Sequence, residues 1–290
     1  MSAVANYFAL TKPRLLPLVL FSGLPAMALA AGGWPPLNVI AITLLGTSLA
    51  AGAANTLNSY IERDLDARME RTRVRPLPSG ELNATRALVF GLVLGVAGTG
   101  LLWFAVGPVP ALIALAAILF YVFIYTLWLK PRTPFAVVVG GVSGAIAPLI
   151  ADASVDGHVS LLGWLLFGII FIWQPPHFYA IALFRRADYA EAGFPMLHDR
   201  IGAEATRRRI LYWILALVPI TLAPAWFSSL GGIYIGVSSA LLFFFFVEAL
   251  RLYRQPGEAA ARRVFLVSLF FLMGTFGAMI FDLAWTSLIA

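Results

Sequence analysis

Four polar residues recur at four-residue spacing where a long apolar segment ends. They are Asn58, Glu62, Asp66 and Glu70. A helix over residues 37–60 that continued for two more turns would place all four on one face. A stripe of like charges is unfavourable unless cations compensate it. The spacing alone therefore leaves two interpretations open, a solvated helix end or a metal site.

In the first interpretation, ion pairs neutralise a helix end that lies in water. Asp64 would pair with Arg68, four residues later. The other carboxylates would be neutralised by nearby arginines, namely Arg63, Arg71, Arg73 and Arg75. The carboxylates would then have no chemical role.

In the second interpretation, Asn58, Glu62 and Asp66 offer three oxygen ligands to a Mg²⁺ ion that is shared with substrate phosphates. Guanidinium groups, such as those of Arg71 and Arg75, match the oxygens of a diphosphate. A metal and arginine site beside an apolar bundle predicts a substrate with a diphosphate head and an apolar chain.

Three other segments carry candidate polar side chains. Lys12 precedes the first apolar segment and either orients the chain or reaches the charged site. Lys130 and Arg132 follow the fourth segment, as topological anchors or as a further contribution to phosphate binding. Asp188 follows the sixth segment, with Glu191 close behind, which suggests a second carboxylate cluster facing the first across a central cavity.

His177 follows two prolines inside the sixth apolar segment, in the sequence WQPPHF. Prolines at membrane depth are tolerated where the freed backbone faces protein or a cavity, and ionisable side chains there usually face such a cavity. We therefore expect His177 near the cavity mouth, where it would orient water, remove a proton or contact the substrate. The alternative is a histidine that is satisfied by packing.

The elements that position these residues are apolar helices. Hydrophobic residues make up 61% of the 290 residues, charged residues make up 12%, and the mean hydropathy is +0.88, which excludes a water-soluble globule. Segments long enough to cross a bilayer lie at residues 14–32, 37–60, 84–106, 109–129, 135–152, 160–184, 208–227, 232–253 and 264–287. We predict an all-α membrane bundle of about nine transmembrane helices around a central cavity.

The charged residues give this bundle an orientation. All 20 Lys and Arg residues fall in segments on one side, whereas the other side carries only Asp152, Asp156, His158 and Asp282. Because basic loops face the cytoplasm, we predict a cytoplasmic N-terminus and a cytoplasmic active site in a bacterial inner membrane. The net charge of +6 thus reflects topology and gives no support to nucleic-acid binding. The absence of Cys excludes disulfides, thiolate metal sites and a Cys nucleophile.

Several short motifs resemble those of the UbiA-type intramembrane prenyltransferases. They are LTKPR, MERT, RPLPSG, YTLWLKPRTP, WQPPHF and DYAEAGFPML, together with Asn58 and Asp66, and they run to about Leu197. LTKPR, MERTRVRPL and WQPPHF are similar to the branch of the family that farnesylates haem. Glu62 stands where the family has Asp, which lengthens this ligand by one methylene.

The resemblance implies a single transmembrane domain over residues 1–290, with cap loops near 61–83 and 185–207. It implies transfer of the farnesyl group of farnesyl diphosphate to a vinyl group of haem B, giving haem O, with Mg²⁺ as cofactor. The implied metal ligands are Asn58, Glu62, Asp66 and Asp188, and the implied catalytic residues are Asp66, His177 and Asn58. The implied substrate-binding residues are Arg68, Arg71, Arg75, Lys130, Arg132 and His177. Further partners are membrane lipid and a downstream haem-modifying enzyme.

Two other functions stay open at the level of the sequence. One is prenylation of an aromatic acid in quinone synthesis, which differs in the acceptor that supports diphosphate release. The other is a membrane transporter or scaffold without enzymatic activity. A transporter or scaffold would leave the one-sided clustering of carboxylates and arginines unexplained.

Overall fold

Helices form every regular element in the part of the chain that the computed structural model describes, which is residues 2–13, 16–70, 72–186 and 196–289. The helices are α1 (Ala3–Leu10), α2 (Leu16–Ala30), α3 (Leu37–Ile61), α4 (Arg63–Asp66), α5 (Ala84–Ala105), α6 (Pro108–Leu119), α7 (Ala136–Gly144), α8 (Ala147–Asp156), α9 (Leu161–Phe184), α10 (Leu197–Leu222), α11 (Pro224–Phe227), α12 (Gly232–Arg254) and α13 (Glu258–Ile289). A π-helix, Phe120–Leu129, continues α6.

The lengths of these helices make the chain a multi-pass integral membrane protein. In the described part of the chain, eight helical segments are long and apolar enough to cross a bilayer, and α2 is a shorter apolar helix of 15 residues. The prediction of an all-α bundle with about nine spans is confirmed. The segments predicted to start at 208 and 264 begin earlier, at Leu197 and Glu258, because helical structure continues into polar sequence.

The helix that carries the carboxylates, α3, packs very closely against α5. Gly46 and Gly98 lie at the crossing, and a Cβ atom on Gly98 would be 2.8 Å from the backbone nitrogen of Ala50 and 2.9 Å from the carbonyl oxygen of Gly46. Small residues permit such contact between helix backbones in a membrane. The contact fixes the position of α3 within the bundle.

We expect Gly98→Ala to destabilise the protein by about 1–3 kcal/mol, because the added methyl group must push two backbones apart. The measurement is the thermal unfolding midpoint in detergent. Gly100→Ala is the matched control, since a Cβ atom there meets nothing within 4 Å. The control should be neutral or slightly stabilising, because Ala favours a helix over Gly by roughly 1 kcal/mol. Equal midpoints for the two variants would contradict the steric argument.

Two buried aspartates on the end of the bundle away from the basic loops cap neighbouring helices. Asp152, on α8, accepts hydrogen bonds from the backbone nitrogen of Ser160 at 2.6 Å and from its hydroxyl at 2.8 Å, at the start of α9. Asp282, on α13, accepts from the nitrogens of Gly231 at 2.5 Å and Tyr234 at 3.3 Å, at the start of α12. Helix N-termini have unpaired N–H groups and favour negative charge. Asp152 therefore links α8 to the start of α9, and Asp282 links α13 to the start of α12.

The π-helix changes the angular spacing of side chains along its wall of the bundle. Its i→i+5 bonding includes the Lys130 nitrogen donating to the Tyr125 carbonyl at 2.9 Å. Such bonding widens the helical turn, and it is frequent near functional sites. Tyr121, Tyr125 and Lys130 consequently share the face that lines the central cavity.

Candidate functional site

The predicted carboxylate stripe forms only over its first three residues. The helix α3 ends at Ile61, yet the Asp66 nitrogen still donates to the Glu62 carbonyl at 2.8 Å, so the four-residue spacing persists through α4. The exposed fractions of Asn58, Glu62 and Asp66 are 2%, 6% and 3%. The chain then turns at Ala67, which places Glu70 at the surface, 3.9 Å from Arg73. The expectation that Glu70 joins the stripe is therefore wrong.

Each buried carboxylate pairs with a cation from another segment. Arg75 Nη1 lies 2.7 Å from Asp66 Oδ2, and Lys130 Nζ lies 2.5 Å from Glu62 Oε1. Buried carboxylates require such partners, because an unpaired charge in a protein interior is strongly unfavourable. Cations thus compensate the stripe, but the interpretation as a solvated helix end fails because both carboxylates are buried.

The pair predicted between Asp64 and Arg68 is not among the ion pairs of the described chain. Asp64 instead lies 3.8 Å from Arg63, and its side chain is 82% exposed. A contact of this kind in water contributes little to stability. The buried residues of this segment, Glu62 and Asp66, are therefore the candidates for function.

Lys12 brings a third cation to the site. Its Nζ donates to Asn58 Oδ1 at 2.9 Å, and Asn58 Nδ2 donates to Thr126 Oγ1 at 3.2 Å. The φ angle of Lys12 is 54°, in a region that residues other than Gly seldom adopt. Asn55 Nδ2 donates a hydrogen bond at 3.1 Å to the carbonyl of Thr11, the residue before Lys12. The strained turn directs the Lys12 side chain inward to Asn58, and strain of this kind often accompanies function.

The two lysines of the site respond differently to their surroundings. Burial and the nearby Arg75 guanidinium lower the pKa of Lys12 to about 8, although Glu62 and Asp66 act in the opposite direction. Burial also disfavours the charged form of Lys130, but Glu62, Tyr125 and Asp66 together outweigh burial, and the pKa of Lys130 is raised. Lys130 is therefore the more firmly protonated of the two.

These groups form the polar end of a cavity of about 400 Å³. Among the described residues, three cations and two carboxylates line this end, which gives these five residues an excess of positive charge; they are Lys12, Arg75, Lys130, Glu62 and Asp66. Small apolar residues of α3, α6 and α8 form the opposite wall, including Ala50, Ala54, Ala117 and Ala147. The cavity can hold a ligand that has an anionic head and an apolar chain.

The donor atoms at the polar end fit a hard divalent cation. Arg75 contacts Oδ2 of Asp66 and Lys130 contacts Oε1 of Glu62, so in the described part of the chain the candidate metal ligands are the second carboxylate oxygens and Asn58 Oδ1, which also accepts from Lys12. Within the described residues, no group of three His, Cys, Asp or Glu side chains has metal-binding geometry. A Mg²⁺ ion there would complete its shell with phosphate and water oxygens, as is common for this ion.

The comparison with protein families agrees with this arrangement. The model described as "UbiA prenyltransferase family" matches residues 19–275. The chain belongs to the UbiA prenyltransferase family. The predicted family is thereby confirmed.

Individual relatives of this UbiA family member are similar over nearly the whole chain. A protoheme IX farnesyltransferase of Parvibaculum lavamentivorans is 42% identical over 97% of this chain and 90% of the relative. The protoheme IX farnesyltransferase of Azoarcus sp. is 45% identical, over 95% of this chain and 93% of the relative. The protoheme IX farnesyltransferase of Symbiobacterium thermophilum is 42% identical over 96% of this chain and 94% of the relative.

Solved structures show the same fold at low sequence identity. A structure of a digeranylgeranylglyceryl phosphate synthase in membranes superposes with a TM-score of 0.82 at 16% identity, over 98% of this chain and 99% of that one. The structure of a UbiA homologue from Archaeoglobus fulgidus, bound to DMAPP and Mg²⁺, superposes with a TM-score of 0.66 at 16% identity. The superposition covers 94% of this chain and 99% of that one.

Two arginines predicted to bind substrate in this UbiA family member do not line the cavity. Arg68 is exposed, because the chain leaves the helical path directly before it. Arg132 is also exposed, and its Nη1 donates to the carbonyls of Leu127 at 3.0 Å and Trp128 at 2.8 Å. Arg132 thus satisfies carbonyls at the end of the π-helix, which differs from its predicted role.

His177 lies beside the cavity but faces α13. Its Nδ1 lies 2.7 Å from Ser268 Oγ, and its ring stacks on Trp173 with centroids 4.5 Å apart. Residues 173 and 177 share one face of α9, while Gln174 and Phe178 share the neighbouring face about 100° away and line the cavity. The structure therefore supports the packing alternative for His177 and contradicts its expected place at the cavity mouth.

Two predicted site residues, Arg71 and Asp188, lie outside the described residues. The second carboxylate cluster, which was to include Asp188 and Glu191, is accordingly a prediction only. Within the cap loop near 185–207, the structure describes residues 185–186 and 196–207, and Gly202, with a φ of 82°, separates two parts of α10.

Several residues that line the cavity were not assigned to the site from the sequence. They include Tyr121, Tyr125 and Gln174, and Thr126 fixes the Asn58 amide. Gln174 Nε2 donates to the Gly141 carbonyl at 2.8 Å and holds α9 against α7. Tyr121, Tyr125 and Lys130 are spaced four and five residues apart. This spacing predicts a shared face only for a reader who already expects a π-helix here.

Proposed function

We propose that this chain transfers the farnesyl group of farnesyl diphosphate to a vinyl group of haem B, giving haem O. The observation that carries the proposal is the buried cluster of carboxylates and cations at one end of an apolar cavity. The identity of 42–45% with protoheme IX farnesyltransferases supports the choice of substrates.

Binding of the diphosphate depends on the positive excess at the polar end. Arg75 offers guanidinium donors suited to phosphate oxygens, and Lys12 and Lys130 add compact charges. The apolar walls receive the farnesyl chain. We also assign Arg71 to this role as a proposal from the sequence.

Asn58, Glu62 and Asp66 would hold Mg²⁺ at this end, with Asp188 near a second position. The bound ion would neutralise diphosphate charge and stabilise the leaving group. The A. fulgidus homologue that binds DMAPP and Mg²⁺ supports this cofactor. Arg75 and Lys130 hold the two carboxylates in place for that task.

The reaction begins when the bond between the first farnesyl carbon and its oxygen breaks, and the electron pair leaves with the diphosphate. The cations of the site stabilise the charge that develops on the departing oxygens. Tyr121 and Tyr125 line the cavity, and aromatic faces attract a carbocation while the apolar walls exclude water.

The acceptor then supplies the electrons for the new bond. The π electrons of the haem vinyl group attack the farnesyl cation, which leaves a cation on the haem side. Water adds to that cation and loses a proton, giving a hydroxyethylfarnesyl side chain. We propose a packing role for His177, which holds α9 to α13 through Ser268.

The charged end of the bundle is proposed to face the cytoplasm of a bacterial inner membrane, since basic loops stay on that side. Farnesyl diphosphate would reach the site from the same side. The product would then pass to a haem-modifying enzyme.

The proposal is tested by incubating the purified protein with haem B, farnesyl diphosphate and Mg²⁺, followed by mass analysis of the extracted porphyrin. We expect a farnesylated, hydrated haem that is missing when either substrate is omitted. 4-Hydroxybenzoate as the acceptor tests prenylation of an aromatic acid. A folded protein that releases diphosphate only with that acceptor would overturn the assignment to haem.

A further inference from the structure

A second cavity, of about 800 Å³, lies where α1 crosses α3 and α5. Its walls are mainly apolar, and they include Phe8, Leu49, Val89, Phe90 and Val93. Two hydroxyl groups along the wall donate within their own segments. Thr11 Oγ1 donates to the Phe8 carbonyl at 2.8 Å, and Ser48 Oγ donates to the Leu44 carbonyl at 2.6 Å. The interior of this groove therefore suits a hydrocarbon chain.

One end of the groove carries a cation from the basic side of the bundle. Arg86 lines the groove in the first turn of α5, where a positive charge opposes the helix dipole. Among the residues that the structure describes, no carboxylate forms an ion pair with Arg86. From Arg86 to Leu94 the groove follows α5 for about 12 Å, close to the thickness of one hydrocarbon leaflet, about 15 Å.

We propose that this groove binds an anionic phospholipid, with its phosphodiester at Arg86 and one acyl chain along Phe8, Phe90 and Val93. Among the described residues of the groove, the one guanidinium, that of Arg86, matches the single negative charge of a phosphodiester. A diphosphate, which carries more charge, is better matched by the three cations of the substrate cavity. Positive residues near a membrane surface attract anionic lipids in general, and the groove adds a defined place for the chain.

The lipid groove adjoins the substrate cavity through α1 and the residues that follow it. Leu16 lines both cavities. Tyr7 packs on Phe90 with ring centroids 5.0 Å apart, and α1 leads directly to Thr11 and Lys12. The bound lipid would therefore hold α1 against α5 and stabilise the turn that directs Lys12 inward.

The test is native mass spectrometry of the full-length protein with phosphatidylglycerol or phosphatidylcholine of the same acyl chains. We expect preferential retention of phosphatidylglycerol. Arg86→Gln should weaken its binding about tenfold, since a charge-assisted contact is lost. Arg254→Gln, at another exposed arginine near a helix end, is the matched control and should leave binding unchanged.

A second variant tests the chain-binding part of the groove. Val89→Trp fills the groove while keeping it apolar, and it should lower retention of both lipids at an unchanged unfolding midpoint. Equal retention of the two lipids by the unaltered protein would overturn the proposal. Equal losses in Arg86→Gln and Arg254→Gln would do so as well, because they would indicate a nonspecific basic surface. Displacement of phosphatidylglycerol by free farnesyl diphosphate would assign the groove to a different ligand.

Discussion

Replacing Asp66 by Asn is expected to lower kcat/KM for farnesyl transfer by about 10²–10³-fold or more. The change keeps the size of the side chain but removes the charge that pairs with Arg75 at 2.7 Å and that would hold the metal. Arg75 is 32% exposed in its side chain and can be hydrated, so the protein should stay folded. The measurement is the rate of haem O formation at saturating Mg²⁺.

Asp64→Asn is the matched control for this prediction. Asp64 belongs to the same short helix, α4, but its side chain is 82% exposed. We expect close to full activity from this variant. If Asp66→Asn retained the activity of Asp64→Asn at the same expression level, the buried carboxylate would have no part in the reaction.

Replacing Lys130 by Gln should lower kcat/KM by roughly 10²-fold, because a cation that binds the diphosphate is lost. It should also destabilise the protein, since Glu62 would keep a buried charge without its partner at 2.5 Å. The double variant Glu62→Gln/Lys130→Gln separates the two effects. Its unfolding midpoint should recover towards that of the unaltered protein, while its activity stays low.

Arg132→Gln provides the comparison for Lys130. Arg132 lies two residues further along the chain, but it bonds to backbone carbonyls and does not line the cavity. We expect its KM for farnesyl diphosphate to change by less than about threefold. A loss equal to that of Lys130→Gln would mean that both cations bind the diphosphate.

The fold was predictable because bilayer thickness sets the length of each apolar helix. The spans predicted at 37–60 and 160–184 correspond to the observed helices Leu37–Ile61 and Leu161–Phe184. The family was predictable because its motifs include residues that line the cavity, such as Asn58, Asp66 and Lys130. The shared face of Asn58, Glu62 and Asp66 was also predictable from their four-residue spacing. The turn at Ala67, which keeps Glu70 out of the stripe, was not.

Other parts of the site depend on geometry that periodicity does not encode. Lys12 reaches Asn58 through a left-handed turn, which composition does not indicate for a lysine. Because α9 is apolar on all sides, hydropathy could not tell the face of His177 from that of Gln174. Tyr121 and Lys130 share a face only on a helix that departs from α geometry.

The π-helix makes this wall of the cavity unusually sensitive to chain length. Removing a single residue between Phe120 and Leu129 would let the segment relax into ordinary α-helical bonding. The side chains at the end of this helix would then change their angular positions, carrying the ammonium group of Lys130 off Glu62. A one-residue deletion here should therefore be more damaging than most substitutions, even though the segment would gain regular helical structure.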